Sequence, residues 1–109
     1  MANGEISILT GGSGTQYAFT VFPRSSTFHP NGGVYVVARA RDEPNYDMIF
    51  IGEAQDMSVR PLNREKLSCF NQWRADSILL WVEEESDKKR RAAVVADLLK
   101  AYAPACNAM

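Results

Sequence analysis

Gly33-Val34-Tyr35-Val36-Val37-Ala38-Arg39-Ala40 and Tyr46-Asp47-Met48-Ile49-Phe50-Ile51-Gly52, joined by Arg41-Asp42-Glu43-Pro44-Asn45, decide how this chain folds. Both runs are rich in β-branched and aromatic residues and the connector carries charge, Pro and Asn, so they read as two strands around a turn. Downstream, Leu62, Lys66, Leu67, Phe70 and Trp73 return at spacings of three and four, one face of a helix whose first turn suits Pro61. Residues 77–83 contain the apolar run Ile78-Leu79-Leu80-Trp81-Val82, which marks a strand covered on both sides, at the middle of the sheet or under a helix. The last helix begins with Ser86 as N-cap and Asp87 in its first turn, runs to about Tyr102 and is ended by Pro104. Its expected core stripe is Ala92, Val95, Leu98, Leu99 and Tyr102, with Lys89, Arg90, Ala93, Asp97 and Lys100 on the outer side.

Upstream, residues 5–9 and 16–22 form a hairpin around the flexible loop Thr10-Gly11-Gly12-Ser13-Gly14-Thr15. Tyr17, Phe19 and Val21 give its second strand one apolar face. The breaker-rich stretch from Pro23 to Gly33 is a surface connection, with His29 exposed in it and without a second metal ligand. The fold class is therefore α/β: a small, mostly antiparallel sheet flanked by two helices, with the first hairpin either extending the sheet or covering its edge.

A chain of 109 residues, 46% apolar and 23% charged, is one domain with one core. Twelve Lys and Arg against thirteen Asp and Glu exclude a globally basic nucleic-acid coat, so an anionic ligand has to be met by a local patch. No apolar run approaches the ~20 residues of a membrane helix, and the amino terminus lacks a secretory signal, so the expectation is a cytoplasmic protein with no membrane partner. Cys69 and Cys106 lack metal-ligand spacing and are expected to be free, partly buried thiols. Residues 88–91, Lys-Lys-Arg-Arg after three glutamates, read as a solvated helix start, with contact to a nucleic-acid backbone as the alternative. Trp73, Trp81, Phe70 and Tyr102 are expected in the core; any of them that is exposed becomes a candidate binding surface.

Four elements stand in a telling order: Gly33-Val34-Tyr35, Phe50-Ile51-Gly52, Arg60 eight residues after Gly52, and the closing helix with Pro104-Ala105-Cys106-Asn107. In this the chain resembles the GIY-YIG nuclease domain, in particular a small bacterial stand-alone branch with the same Pro-x-Cys-Asn ending. The resemblance covers residues 33–107 and leaves 1–32 as an amino-terminal hairpin and loop. It implies a GIY-YIG-like sandwich, with Tyr35 at the position proposed to help deprotonate the attacking water. Arg60 would be the guanidinium that grips the phosphate.

Three positions depart from the pattern. Phe50 replaces the second family tyrosine, keeping the ring and losing the hydroxyl. Val95 falls on the metal-binding Glu and cannot ligate Mg²⁺, which takes oxygen ligands. Asp97, two residues on and about 200° around the helix, cannot substitute. Arg64 replaces a histidine of the branch. The expectation is thus a degenerate nuclease-like domain, without a cofactor, acting as a nucleic-acid- or protein-binding module, as monomer or homodimer. The alternative is an active Mg²⁺- or Mn²⁺-dependent endonuclease whose metal ligand has moved to Glu53, Asp56 or Glu65. For Tyr35 the plainer role is a core aromatic, and for Arg60 a surface ion pair with Glu53 or Asp56.

Overall fold

Alternation of side chains explains the architecture. The computed structural model describes residues 5–41, 45–59, 62–82 and 87–107. Its strands are β1 (Glu5–Thr10), β2 (Gln16–Pro23), β3 (Gly33–Ala40), β4 (Tyr46–Ala54) and β5 (Ser77–Trp81). They form one antiparallel sheet in the order β1-β2-β5-β3-β4. Helix α1 (Leu67–Gln72) covers one face and α2 (Lys88–Ala101) the other. Phe19, Val21, Val34, Val36, Ile51 and Leu79 point toward Val94 and Leu98 of α2, whereas Tyr35, Val37 and Ile78 point toward Cys69 and Phe70 of α1.

Strand β5 lies in the middle of the sheet, which is why both faces of its apolar run are needed. The amino-terminal hairpin extends the sheet by pairing β2 with β5, Val21 opposite Leu79. Its α2 side is buried, whereas on the other side Phe22 packs against Phe28 and Ile6 and Ile8 of the edge strand are exposed. No helix among the described residues is long and apolar enough to cross a membrane.

Several expectations are corrected. Cys69 and Cys106 are buried as expected but form a disulfide. Helix α1 and the closing 3₁₀ turn Ala105–Asn107 bring their Cα atoms to 6.0 Å, within bonding range, although 37 positions separate them in the chain. The thiol part of the argument for a reducing compartment therefore falls away. The first helix is shorter than its periodicity suggests: a 3₁₀ turn, Arg64–Lys66, leads into α1, which ends at Gln72. Trp73 consequently lies outside the core, 47% exposed, and Trp81 and Tyr102 are only half-buried.

The α2 N-cap is Asp87, whose carboxylate accepts from the Arg90 N–H at 2.8 Å; Ser86 lies outside the described residues. This register puts Arg91, Val94 and Leu98 on the buried side, with Val95 and Tyr102 packed beside them, and leaves Ala92 and Leu99 exposed. Arg91 is thus removed from the solvated basic run, while Arg90 lies over the Trp81 ring at 5.5 Å.

The glycine-rich loop is docked on α2. Asp97 accepts from Ser13 N at 2.9 Å, Ser13 Oγ at 2.8 Å and the Tyr17 hydroxyl at 2.8 Å, and its carbonyl accepts from Gly12 N at 2.8 Å. A Cβ at Gly11 would stand 2.1 Å from the Asp97 carboxylate, so the close approach requires glycine there. The Tyr17 and Ser13 hydrogen bonds hold the Asp97 carboxyl below its ordinary value. Its folded-state pKa being depressed, its contribution is complete above the unfolded carboxylate range and is lost as pH falls through the folded value. Asp97→Asn is expected to melt earlier than the wild type at neutral pH, the gap closing below about pH 4. Thermal melts of both proteins across the acid range check this, and a gap independent of pH would refute it.

Candidate functional site

The two strands that opened the sequence reading meet at Tyr35 and Gly52, which are Cα partners across β3 and β4. A register shift between Val37 and Ala38 lets Val37 face Phe50 and Ala38 face Met48, leaving Ile49 as the extra residue of a bulge. Tyr35, Val37 and Phe50 share the α1-side face by regular alternation, and the bulge adds Ile49 to that face beside Phe50. The Tyr35 and Phe50 ring centroids are 5.9 Å apart, and Phe50 continues to Phe70 of α1 at 5.6 Å.

Gly52 is explained by that stack. A Cβ there would stand 2.5 Å from the Phe50 ring and 3.2 Å from the Tyr35 hydroxyl. At Gly33 a Cβ would come within 2.9 Å of the Leu80 side chain. Gly52→Ala is expected to destabilise the domain by about 1–3 kcal/mol, the cost of overpacking a filled core. Urea denaturation measures it; an unchanged midpoint would show that the rings yield freely.

The Tyr35 side chain is buried, but a pocket of about 240 Å³ opens beside it, lined also by Glu53, Asp56, Val59, Leu62 and Asn63. Asn63, held with φ at 50°, hydrogen-bonds the Tyr35 hydroxyl. Burial pushes the phenol above its ordinary value; the Asn63 bond opposes this and the Glu53 charge adds to it. Tyr35 is therefore a neutral phenol at physiological pH, able to donate or accept a hydrogen bond and poorly suited to take a proton as phenolate.

The two carboxylates at the pocket are already engaged. Glu53 Oε1 accepts from Arg91 Nε at 2.9 Å, an ion pair in which Arg91 is only 4% exposed. Asp56 Oδ1 accepts from Ser58 N at 2.9 Å and Ser58 Oγ at 2.6 Å, bonds that hold its carboxyl below the ordinary range.

The structure thus brings Tyr35 and Phe50 together and adds Asn63, Glu53 and, through it, Arg91. Arg60 lies outside the described residues, between Val59 and Leu62, which both line the pocket. Arg64 is exposed on the 3₁₀ turn next to Asn63. Val95 is half-buried against the cluster on the α2 face, whereas Tyr35 belongs to the cluster on the α1 face. Glu65 is exposed on the 3₁₀ turn and does not line the pocket. The sequence reading missed Asn63 as the partner of Tyr35 and Arg91 as the partner of Glu53. Asn63 had a local signal, since Asn is favoured where φ is positive. Arg91 had none, being hidden in a run of four cations.

Compared with family models, with curated proteins and with solved structures, the chain gives no match.

Proposed function

We propose that this chain is a GIY-YIG-like domain that binds a nucleic-acid phosphate at the Tyr35 pocket and does not hydrolyse it. The reading is supported above all by one observation: Tyr35 and Phe50, from the two motif strands, pack side by side next to Gly52, at a pocket whose lining flanks Arg60 in sequence. A neutral Tyr35 phenol and the Asn63 amide are hydrogen-bonding groups for a phosphate oxygen, and Arg60 supplies the positive charge.

The residues around the pocket do not fit a catalytic divalent cation. Glu53 is paired with Arg91 and Asp56 is capped by Ser58, while Val95, which the resemblance puts at the metal ligand, has no donor oxygen and lies on the other face of the sheet. The competing reading, a Mg²⁺- or Mn²⁺-dependent endonuclease with a relocated ligand, draws on the fact that Glu53 and Asp56 both line the pocket.

One experiment separates the two. Gel shift and cleavage are followed together on supercoiled plasmid and branched DNA, with Mg²⁺, Mn²⁺ or a chelator. Wild type is expected to shift the DNA equally with and without metal and to leave it uncut, and Arg60→Ala to weaken the shift roughly tenfold, the worth of one charge-assisted contact. Metal-dependent nicking that disappears in Arg60→Ala would carry the endonuclease instead; no shift and no nicking would sink both.

A further inference from the structure

The exposed Trp73 has no role in the fold described so far. Helix α1 stops at Gln72, and the left-handed backbone of Arg74, φ 59°, turns the chain away immediately afterwards. Phe70 of the same helix is 2% exposed, so a neighbouring position does bury its ring while Trp73 stays at the rim. The indole lines a groove of about 470 Å³ between the β3–β4 hairpin and the segment after α2, shared with Arg39, Arg41, Asp47 and Ala103. Arg41 is ion-paired to Asp47 at 2.5 Å. Arg39 is exposed and, among the described residues, its guanidinium has no hydrogen bond or ion pair; the indole N–H has none either. Among the described residues, the groove therefore presents a cation without a hydrogen-bond or ion-pair partner beside an open aromatic face.

We propose that this groove holds a base of single-stranded nucleic acid, stacked on Trp73, with Arg39 on the adjoining phosphate. The proposal rests on the nucleic-acid reading of the Tyr35 pocket and extends it. Arg39 and Tyr35 lie four residues apart on β3, on the same face, about 13 Å along the strand. That is on the order of four nucleotides at the duplex rise per strand, and fewer when a strand is extended. One strand can thus reach both positions. An indole face takes a base only when the base is unstacked from its neighbours, which an intact duplex does not offer, so the chemistry selects a single strand, a loop or a frayed end.

The test is fluorescence anisotropy with end-labelled oligothymidine, set against an abasic oligonucleotide of equal length and charge. Trp73→Ala, Trp73→Phe, Arg39→Ala and Arg60→Ala are compared with the wild type, and the first three change exposed side chains. Trp73→Ala is expected to weaken oligothymidine binding roughly tenfold, within the range of one lost base stack, with Trp73→Phe recovering most of it. Wild type is expected to bind the abasic strand as poorly as Trp73→Ala binds oligothymidine. Arg39→Ala is expected to reduce the salt dependence by about one phosphate contact. Should Trp73→Ala bind like wild type while Arg60→Ala is impaired, the groove proposal is overturned and the Tyr35 reading stands. Wild type that binds neither oligothymidine nor duplex overturns both.

Discussion

Cys69→Ala combined with Cys106→Ala is expected to lower the unfolding free energy by about 4 kcal/mol. The bond joins positions 37 residues apart, and opening a loop of that size returns entropy to the unfolded chain worth about 4 kcal/mol in the loop-closure treatment. For a domain of this length, total stability is about 5–15 kcal/mol, so the loss is a large fraction of the whole. The damage is also directed. Phe70, next to Cys69, packs on Phe50, and Asn107, next to Cys106, clasps β4 through Ile51 N and Ile51 O, both at 2.8 Å. Both neighbours of the bridge grip the strand that carries Phe50 and Gly52. Urea titration of wild type, of wild type with a phosphine reductant and of the double variant measures the effect. Coincident midpoints would show that the cross-link contributes nothing, and thiols titrating in the denatured, unreduced protein would show that it is not formed.

Arg91→Ala is expected to cost about 3 kcal/mol, because it leaves the Glu53 carboxylate partly buried without its cation. The Arg91 side chain is 5% exposed and that of Glu53 23%, so solvent screens this pair far less than a surface bridge. Arg91 also fills the space beside Gly32, where a Cβ would stand 2.5 Å from its guanidinium. Arg91→Met keeps most of the volume and removes the charge and its hydrogen bonds, so its loss relative to Arg91→Ala separates packing from polar pairing. Arg91→Met combined with Glu53→Met is expected to recover most of the stability, since a hydrophobic replacement of a buried pair is often neutral or better. A double-mutant cycle read by urea denaturation gives the coupling; a coupling near zero would refute the buried-pair account. The cycle bears on the proposed site because Glu53 lines the Tyr35 pocket and Arg91 holds its carboxylate in place.

Much of the fold was legible because it depends on short-range pattern. Period-two alternation located β2, β-branched and aromatic enrichment around a polar turn located β3 and β4, and the continuous apolar run of β5 announced a strand covered on both faces. Helix α2 was found from its periodicity and from Pro104, but its buried stripe was placed with Ala92 and Leu99 inside. The stripe is rotated because Arg91 occupies a core-side position, and a cation reads as a surface residue unless its partner is known. That partner, Glu53, lies 38 positions away.

The candidate site divides in the same way. Tyr35, Phe50 and Gly52 stood out in the sequence through the resemblance to the GIY-YIG motif, and their meeting across β3 and β4 follows from the register of two strands joined by a short turn. The β4 bulge that adds Ile49 to the face of Tyr35 and Phe50 has no composition signal, and only the pairing of β3 with β4 reveals it. Trp73 was assigned to the core because its spacing fits the α1 face, yet the helix ends one residue before it.

By itself, then, the sequence determined the strands and the existence of both helices, since each is encoded by the period and chemistry of neighbouring residues. The tertiary structure decided the Cys69–Cys106 bridge, the Arg91–Glu53 pair, the docking of Ser13 and Tyr17 on Asp97, and the exposure of Trp73. All of these depend on which distant segments come to lie side by side, and no local periodicity carries that information.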